Sequence, residues 1–198
     1  MQIGKILYPV TTLGPGTRLG VWTTGCDRRC KGCANPELQV KDPSKDYPIV
    51  EAVEKLHDYR IDGVTVSGGE PFLQAEELRR LISLLKEWGI DDILVFTGNT
   101  IEELKSMNNE DIDYILSNIA VLVDGAFVES EYIEDPLRGS ANQRVIVLKP
   151  EYQEAYDEYR SNAKAIDVFN FGNETHFIGI PSPGYDESYR RYLNGGRE

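Results

Sequence analysis

The sequence predicts an α/β protein, and three observations support that class. Short apolar runs typical of buried strands alternate along the chain with segments whose apolar residues recur at helical spacing. Polar or glycine-rich breaks follow the strand-like runs, and 198 residues with 40% hydrophobic content are enough for a normal buried core. Because such alternation is typical of βαβ units, we expect parallel strands joined by crossover helices.

The first half of the chain supplies three of the predicted strands and two helices. Strands are expected at residues 5–10 and 18–24, with a turn at 13–16 between them, and at 62–67. Pro48 suits the first turn of a helix with apolar residues at 49, 53 and 56. A second helix at 75–88 has an apolar face, and Gly89 suits its C-terminal cap.

The second half continues the alternation and divides into two parts. Strands are predicted at 93–96, 119–123 and 144–148, with short helices at 101–107 and 109–117. We predict a core domain of residues 1–150 and a C-terminal extension of residues 151–198 packed on it. The extension contains a helix at 152–162, a strand pair around Gly172 and a turn at 180–184. It could cover a sheet edge, mediate dimerisation or modify partner choice.

Charge and hydropathy narrow the possible partners and the location. With 21 Lys and Arg against 33 Asp and Glu, the net charge of −12 argues against non-specific binding to nucleic acid or anionic lipid. No run is long and apolar enough to span a membrane, and we recognise no N-terminal signal segment. We therefore expect a cytoplasmic protein whose partner is a small molecule or another protein.

The three cysteines are the most informative residues. Cys26, Cys30 and Cys33 are the only cysteines, and they form a Cys-x3-Cys-x2-Cys motif within eight residues. Three thiolates can each bind one iron of a cubane cluster and leave the fourth iron without a protein ligand, whereas structural zinc requires four closed ligands. The motif therefore favours an iron–sulfur cluster with one iron open to substrate.

Two other uses of these cysteines are possible. Zinc would need a fourth ligand from His57, His176 or a carboxylate such as Asp27, and neither histidine has a short spacing from the motif. A disulfide is disfavoured because thiols in the cytosol stay reduced.

Four breaks follow predicted strands: the cysteine loop after Thr24, and residues 67–71, 97–99 and 124–125. In open α/β sheets ligands bind beyond the carboxyl ends of the strands, so we expect these breaks to converge. Gly68 and Gly69 would let backbone approach a ligand, and Glu70 could accept a hydrogen bond from an ammonium group. The alternative is a tight strand-to-helix turn with a solvent-facing Glu70.

Basic residues lie between the cysteines. Arg28, Arg29 and Lys31 are either solvated loop charge or a positive surface that receives an acidic electron donor and offsets the negative charge of a thiolate-bound cluster.

These motifs resemble those of a known superfamily. Cys-Asp-Arg-Arg-Cys-Lys-Gly-Cys at 26–33, together with Ser-Gly-Gly-Glu-Pro at 67–71, resembles the radical S-adenosylmethionine enzymes. Residues 14–18, 24–26, 33–35, 123–125 and 138–144 are similar to motifs of the activating component of anaerobic ribonucleotide reductase. The matches run in order from Tyr8 to Val147, so they span roughly three quarters of the chain.

The resemblance implies a fold and a reaction. The fold would be a partial (β/α) barrel-like curved parallel sheet with helices on its outer face. S-adenosylmethionine would chelate the open iron of a [4Fe-4S] cluster, and one electron from a flavodoxin- or ferredoxin-like donor would cleave a carbon–sulfur bond. The resulting 5′-deoxyadenosyl radical would take hydrogen from a glycine of a large partner, anaerobic ribonucleotide reductase.

The resemblance also implies roles for individual residues. Cys26, Cys30 and Cys33 would bind the cluster, Gly32 and Ala34 would lie against the nucleoside, and Gly68, Gly69 and Glu70 would place the methionyl ammonium group. Thr97 and Asp124 would contact the ribose or serve only as cap or turn residues. Many members have an aromatic residue where this chain has Gly32, so adenine packing must come from elsewhere.

Two alternative functions remain at this point. One is a radical S-adenosylmethionine enzyme that acts on a small molecule or on another protein. The other is a non-catalytic zinc-binding interaction module.

Overall fold

The computed structural model describes residues 1–185. Its main sheet consists of β1 (Ile3–Val10), β2 (Arg18–Thr23), β3 (Gly63–Gly68), β4 (Ile93–Phe96), β5 (Val121–Asp124) and β6 (Arg144–Val147). The helices are α1 (Ile49–Glu54), α2 (Ala75–Glu87), α3 (Ile101–Ser106), α4 (Glu110–Asn118) and α5 (Gln153–Ser161), and β7 (Asp167–Phe171) pairs with β8 (Glu174–Ile178) in a hairpin. Residues 186–198 of the predicted extension lie outside the described residues. No helix in the described part is long and apolar enough to cross a bilayer.

The six strands lie side by side in chain order, and β2 to β5 are mutually parallel. The α/β class is therefore confirmed. The expectation of parallel strands is wrong for the two edge strands, because β1 and β6 are antiparallel to their neighbours. Residues 11–17 are too few for a crossover, so the chain reverses between β1 and β2. The barrel-like curvature remains a prediction.

Helices α1, α2 and α4 cover one face of the sheet. Strand residues alternate between faces, and Val21, Val66 and Val95 all lie on this side against Leu81 and Leu85 of α2. These side chains are fully buried. Gly89 adopts a φ of +77° directly after α2, which confirms its predicted role in ending the helix.

The opposite face is covered by the loop after β5 and by the C-terminal extension. Leu94 and Val123 on this face pack against Leu137 of the loop and Tyr156 of α5. Ile178 of β8 packs in a neighbouring apolar cluster that contains Trp22. One sheet thus has two covered faces, and the second cover comes from residues late in the chain.

A buried polar network joins the extension to the amino end of the parallel strands. Arg18 is fully buried, and its Nη1 lies 2.6 Å from Oδ2 of Asp92. The Tyr156 hydroxyl donates a 2.6 Å hydrogen bond to Oδ1 of Asp92. Burial of the phenol raises the pKa of Tyr156, so this hydroxyl stays protonated and can donate. The network lies at the opposite end of the strands from the cysteines.

The division at residue 150 remains a prediction.

Candidate active site

The four loops that follow β2, β3, β4 and β5 converge, as the sequence predicts; we call them the strand-end loops. The Gly69 amide donates to the Thr23 carbonyl at 2.8 Å, which joins the loops after β3 and β2. The Gly125 amide donates to the Asn99 carbonyl at 3.0 Å, which joins the loops after β5 and β4. The chain thus brings residues from four distant segments to one edge of the sheet, where ligands of open α/β sheets bind.

The cysteine loop leaves the end of β2 and carries three half-buried cysteines that form no disulfide. Its start is fixed by the Cys26 amide, which donates to the Gln39 carbonyl at 3.0 Å. Burial raises the pKa of the Cys30 thiol; a hydrogen bond from the Phe127 backbone opposes this shift, and the nearby Cys33 and Cys26 add to it. Three neighbouring soft thiol ligands fit an iron–sulfur cluster, whose irons would stabilise the thiolates.

The histidines proposed as zinc ligands are engaged elsewhere. The His57 ring packs edge-on against the Trp88 ring, with the ring centroids 4.9 Å apart. His57 precedes β3 in the chain, so it lies at the amino end of the parallel strands, whereas the cysteine loop lies at their carboxyl end. His176 lies in β8, within 3.7 Å of Glu174. Among residues 1–185, no group of three His, Cys, Asp or Glu side chains is arranged to hold a single metal ion.

The glycine pair after β3 lets backbones pack closely at the strand-end loops. Gly68 has a φ of +110°, and a Cβ there would lie 2.3 Å from the Thr23 nitrogen. A Cβ on Gly69 would lie 2.3 Å from the Gly25 oxygen. Both positions therefore require glycine for internal packing. The predicted contact of these glycines with a ligand remains a proposal.

Glu70 holds two of the strand-end loops together and is not a solvent-facing residue. Its side chain is buried, with Oε1 accepting from the Phe72 amide at 3.0 Å and from the Thr97 hydroxyl at 2.9 Å. Oε2 accepts from the Gly98 amide at 2.8 Å. Burial raises the pKa of Glu70, and these hydrogen bonds oppose that shift. A carboxylate has about four acceptor positions, so one remains on Oε2.

Thr97 and Asp124 both lie at strand ends, and their side chains have partners within the protein. The Thr97 hydroxyl donates to Glu70 and accepts from the Asn99 amide at 3.0 Å. Asp124 is fully buried, accepts from the Ile101 amide at 2.8 Å at the start of α3, and pairs with Arg144. The bond between Thr97 and the Asn99 amide is a turn contact, and Asp124 accepts from the first amide of α3; the predicted ribose contacts of both residues remain a proposal.

Two of the three basic residues in the cysteine loop are paired with carboxylates. Arg28 lies 2.9 Å from Glu103, and Lys31 lies 2.8 Å from Glu129. Arg29 is exposed, has a φ of +49°, and forms no ion pair within residues 1–185. Of these three residues, Arg29 is therefore the one whose charge has no acidic partner within residues 1–185.

Phe127 is a site residue that the sequence analysis missed. A Cβ on Gly32 would lie 3.2 Å from Cε1 of Phe127. The Phe127 ring thus lies beside Gly32, the position at which many radical S-adenosylmethionine enzymes have an aromatic residue. Phe127 follows the Asp124-Gly125 break by two residues, and that proximity was the available signal. The ring helps to line a cavity of about 290 Å³ beside the cysteine loop, together with Gly32, Ala34, Ser67 and Phe96.

Fold and site together are those of an α/β protein with a cysteine loop beyond the carboxyl ends of its parallel strands, a candidate iron–sulfur site. A family model described as a 4Fe-4S single cluster domain matches residues 12–146. This match favours the cluster over the zinc module. The chain belongs to the radical S-adenosylmethionine activases, the branch that includes the activating proteins of anaerobic ribonucleoside-triphosphate reductase.

Named relatives support that membership. Proteins of Salmonella typhimurium and Escherichia coli, both named anaerobic ribonucleoside-triphosphate reductase-activating protein, are 34% identical to this chain over 155 and 157 residues. Each match covers 72% of this chain and 96% of the relative. A pyruvate formate-lyase-activating enzyme of Staphylococcus aureus is 36% identical over 103 residues, which cover 48% of this chain and 41% of that enzyme.

Proposed function

We propose that this protein generates a glycyl radical on anaerobic ribonucleoside-triphosphate reductase by reductive cleavage of S-adenosylmethionine. The observation that carries the proposal is the position of Cys26, Cys30 and Cys33, three cysteines outside any disulfide at the point where four strand ends meet. The names of the relatives that this chain matches over nearly their whole length support the choice of partner.

In this proposal the three cysteines hold a [4Fe-4S] cluster through three of its irons. When bound and reduced, the cluster supplies the electron that splits S-adenosylmethionine into methionine and the 5′-deoxyadenosyl radical, which takes hydrogen from the partner's glycine. The protein contributes position and exclusion of water. Cys30 is half-buried beside Phe127, so its thiolate would be shielded on one side by protein.

The strand-end loops orient the cofactor. The remaining acceptor position on Glu70 Oε2 would receive the methionyl ammonium group, and the Gly68-Gly69 backbone would lie alongside. The approaching positive charge would favour the ionised carboxylate, against the effect of burial. Thr97 and Asn99 act by keeping Glu70 and the loop after β4 in place.

The nucleoside would enter the cavity beside the cysteine loop. Gly32 and Ala34 form its floor near the cysteines, and Phe127 offers an aromatic surface next to Gly32. Arg29 would contribute more positive charge toward an acidic flavodoxin- or ferredoxin-like donor than Arg28 or Lys31, because those two residues already have acidic partners.

Cluster analysis of the wild-type protein and of Cys30→Ala tests this assignment. Anaerobically reconstituted wild-type protein should be brown and contain about four irons and four sulfides per chain. Cys30→Ala should fail to assemble a stable cluster and should not cleave S-adenosylmethionine, because the sequence contains no fourth cysteine to replace the lost thiolate. Wild-type iron content in Cys30→Ala would refute the ligand assignment.

A further inference from the structure

The C-terminal segment from Phe177 to Tyr185 lines the same cavity as the cysteine loop. The cysteine side of this cavity is formed by Gly32, Ala34 and Asn35, and the sheet side by Trp22, Ser67 and Phe96. Residues 177–185 supply another side, which we call the C-terminal wall. Residues of the extension thus lie beside the proposed reaction site.

The base of the C-terminal wall is anchored to the core. The Asp167 carboxylate accepts from the Thr11 amide at 2.6 Å and the Thr11 hydroxyl at 2.8 Å, which fixes the start of the hairpin. The Thr12 hydroxyl donates to the Ile178 carbonyl at 2.8 Å, and the Ile178 side chain is buried. The wall therefore starts from a fixed point.

The far end of the wall contacts both loops that border the cavity. Ser182 Oγ lies 3.2 Å from the Tyr132 hydroxyl in the loop after β5. The Tyr185 hydroxyl lies 3.5 Å from the carbonyl oxygen of Ala34, next to the last cysteine. Pro181 and Pro183 restrict the backbone between these contacts, because proline fixes φ. The wall thus spans the cavity with limited freedom.

The wall lies outside the part of the chain that the family model matches, which ends at residue 146. The relatives named as reductase-activating proteins are matched over 96% of their own length while covering 72% of this chain, so more than a quarter of this chain has no counterpart in them. The wall is therefore not part of the matched 4Fe-4S domain.

We propose that the C-terminal wall determines what can reach the reaction site: it admits a narrow glycine-bearing main-chain segment of the partner and excludes other hydrogen donors from solution. The cavity has Phe96, Phe127 and Ile180 among its lining residues, and the wall, which is held by contacts at both ends, bounds one side of it, so a segment with little side-chain bulk would enter most easily. This inference rests on the proposed function, because it concerns access to the same site.

Two variants and one matched control test the wall. Ile180→Ala removes side-chain volume from the wall, and a chain truncated after Gly179 removes most of it. Val168→Ala is the control, because it trims an exposed apolar residue on the same hairpin. Each reconstituted protein is supplied with S-adenosylmethionine, a chemical reductant and perdeuterated glycerol. Deuterium in the 5′-deoxyadenosine product then reports access of a solution donor to the site.

Both wall variants should incorporate about fivefold more deuterium than wild type, because solution donors can enter. Per S-adenosylmethionine cleaved, they should also place about fivefold fewer glycyl radicals on the reductase, while the iron content of the protein stays at the wild-type level. Val168→Ala should match wild type. If the truncated chain does not fold, Ile180→Ala decides alone.

Unchanged deuterium incorporation in Ile180→Ala would refute the proposal that the C-terminal wall restricts access to the reaction site. The proposed function fails separately. If wild type cleaves S-adenosylmethionine but never places a radical on the reductase, the partner is wrong, and the deuterium measurement still decides whether the wall restricts access. If wild type does not cleave S-adenosylmethionine at all, the proposed function and the wall fail together.

Discussion

Glu70 and Thr97 are 27 residues apart in sequence and are joined by a 2.9 Å hydrogen bond from the Thr97 hydroxyl to Oε1 of Glu70. The bond links the loop after β3 to the loop after β4. Because Glu70 also accepts from the Gly98 amide, one buried carboxylate fixes the relative positions of two strand-end loops. Residues that resemble a cofactor-binding motif therefore also hold the site together.

Glu70→Gln tests both roles of this carboxylate. The new amide group would bring a donor toward the Gly98 amide and would remove the charge that receives the methionyl ammonium group. A lost charge-assisted hydrogen bond costs about 1.5–3 kcal/mol, so affinity for S-adenosylmethionine should fall by about tenfold to a hundredfold. Iron content should stay at the wild-type level. Calorimetric titration measures the affinity, with the exposed Glu76→Gln as control. Unchanged affinity would remove Glu70 from the cofactor site.

Tyr156→Phe tests the attachment of the extension to the core. The variant leaves the buried Asp92 carboxylate without the 2.6 Å hydrogen bond from the phenol, while the ring still packs against the sheet. The free energy of unfolding should fall by about 1.5–3 kcal/mol, because the lost bond is to a charged group. Tyr152→Phe, on the same segment, should change it by less than about 0.5 kcal/mol. Equal denaturation midpoints for the two variants would contradict this account.

The ion pair between Glu102 and Arg144 predicts a pH dependence. The hydrogen bond from Arg144 is the main cause that lowers the pKa of Glu102 from 4.5 to about 2. Because this pKa is depressed in the folded state, the stabilisation is complete above about pH 4.5 and is lost as the pH falls through about 2. Carbon-detected NMR titration should show Glu102 titrating at the low value in wild type and near its ordinary value in Arg144→Gln. An ordinary pKa in wild type would show that the pair does not form in solution.

Arg29→Glu tests electron-donor docking. Since Arg28 and Lys31 are already paired, reversing the exposed Arg29 should slow cluster reduction by a flavodoxin- or ferredoxin-like donor several-fold at low salt. The difference should shrink as salt screens the charges. Stopped-flow absorbance follows reduction, and a small chemical reductant should act on both proteins equally. Lys55→Glu, a charge reversal before β3, is the matched control. Equal rates with the protein donor would show that docking occurs elsewhere.

The sequence predicted the convergence of the strand-end loops because local patterns mark where strands end, and parallel strands bring those ends together. Strand β4 was predicted with its observed bounds, and the hairpin around Gly172 is present. The direction of the edge strands was mispredicted. The short connection between β1 and β2 could have indicated that these two strands are antiparallel, because a parallel crossover needs about a dozen residues or more.

Side-chain pairing was beyond the sequence argument. Glu103 pairs with Arg28, and Glu129 pairs with Lys31. The partners in each pair are up to about a hundred residues apart in sequence, so the sequence around the two basic residues gives no sign of the pairing. Phe127 and the C-terminal wall were missed for the same reason, because they reach the site through loops whose course depends on tertiary packing. Short polar motifs identified the chemistry, whereas the apolar lining of the cavity required the fold.

The most direct test of the central claim is the electron paramagnetic resonance spectrum of the partner. The chemically reduced protein is mixed anaerobically with S-adenosylmethionine and with the anaerobic ribonucleotide reductase of the same organism. We predict a glycyl radical doublet on the reductase, absent with Cys30→Ala, that collapses to a singlet when the reductase is made with α-deuterated glycine. Cleavage of S-adenosylmethionine without any radical on that reductase would contradict the proposed function.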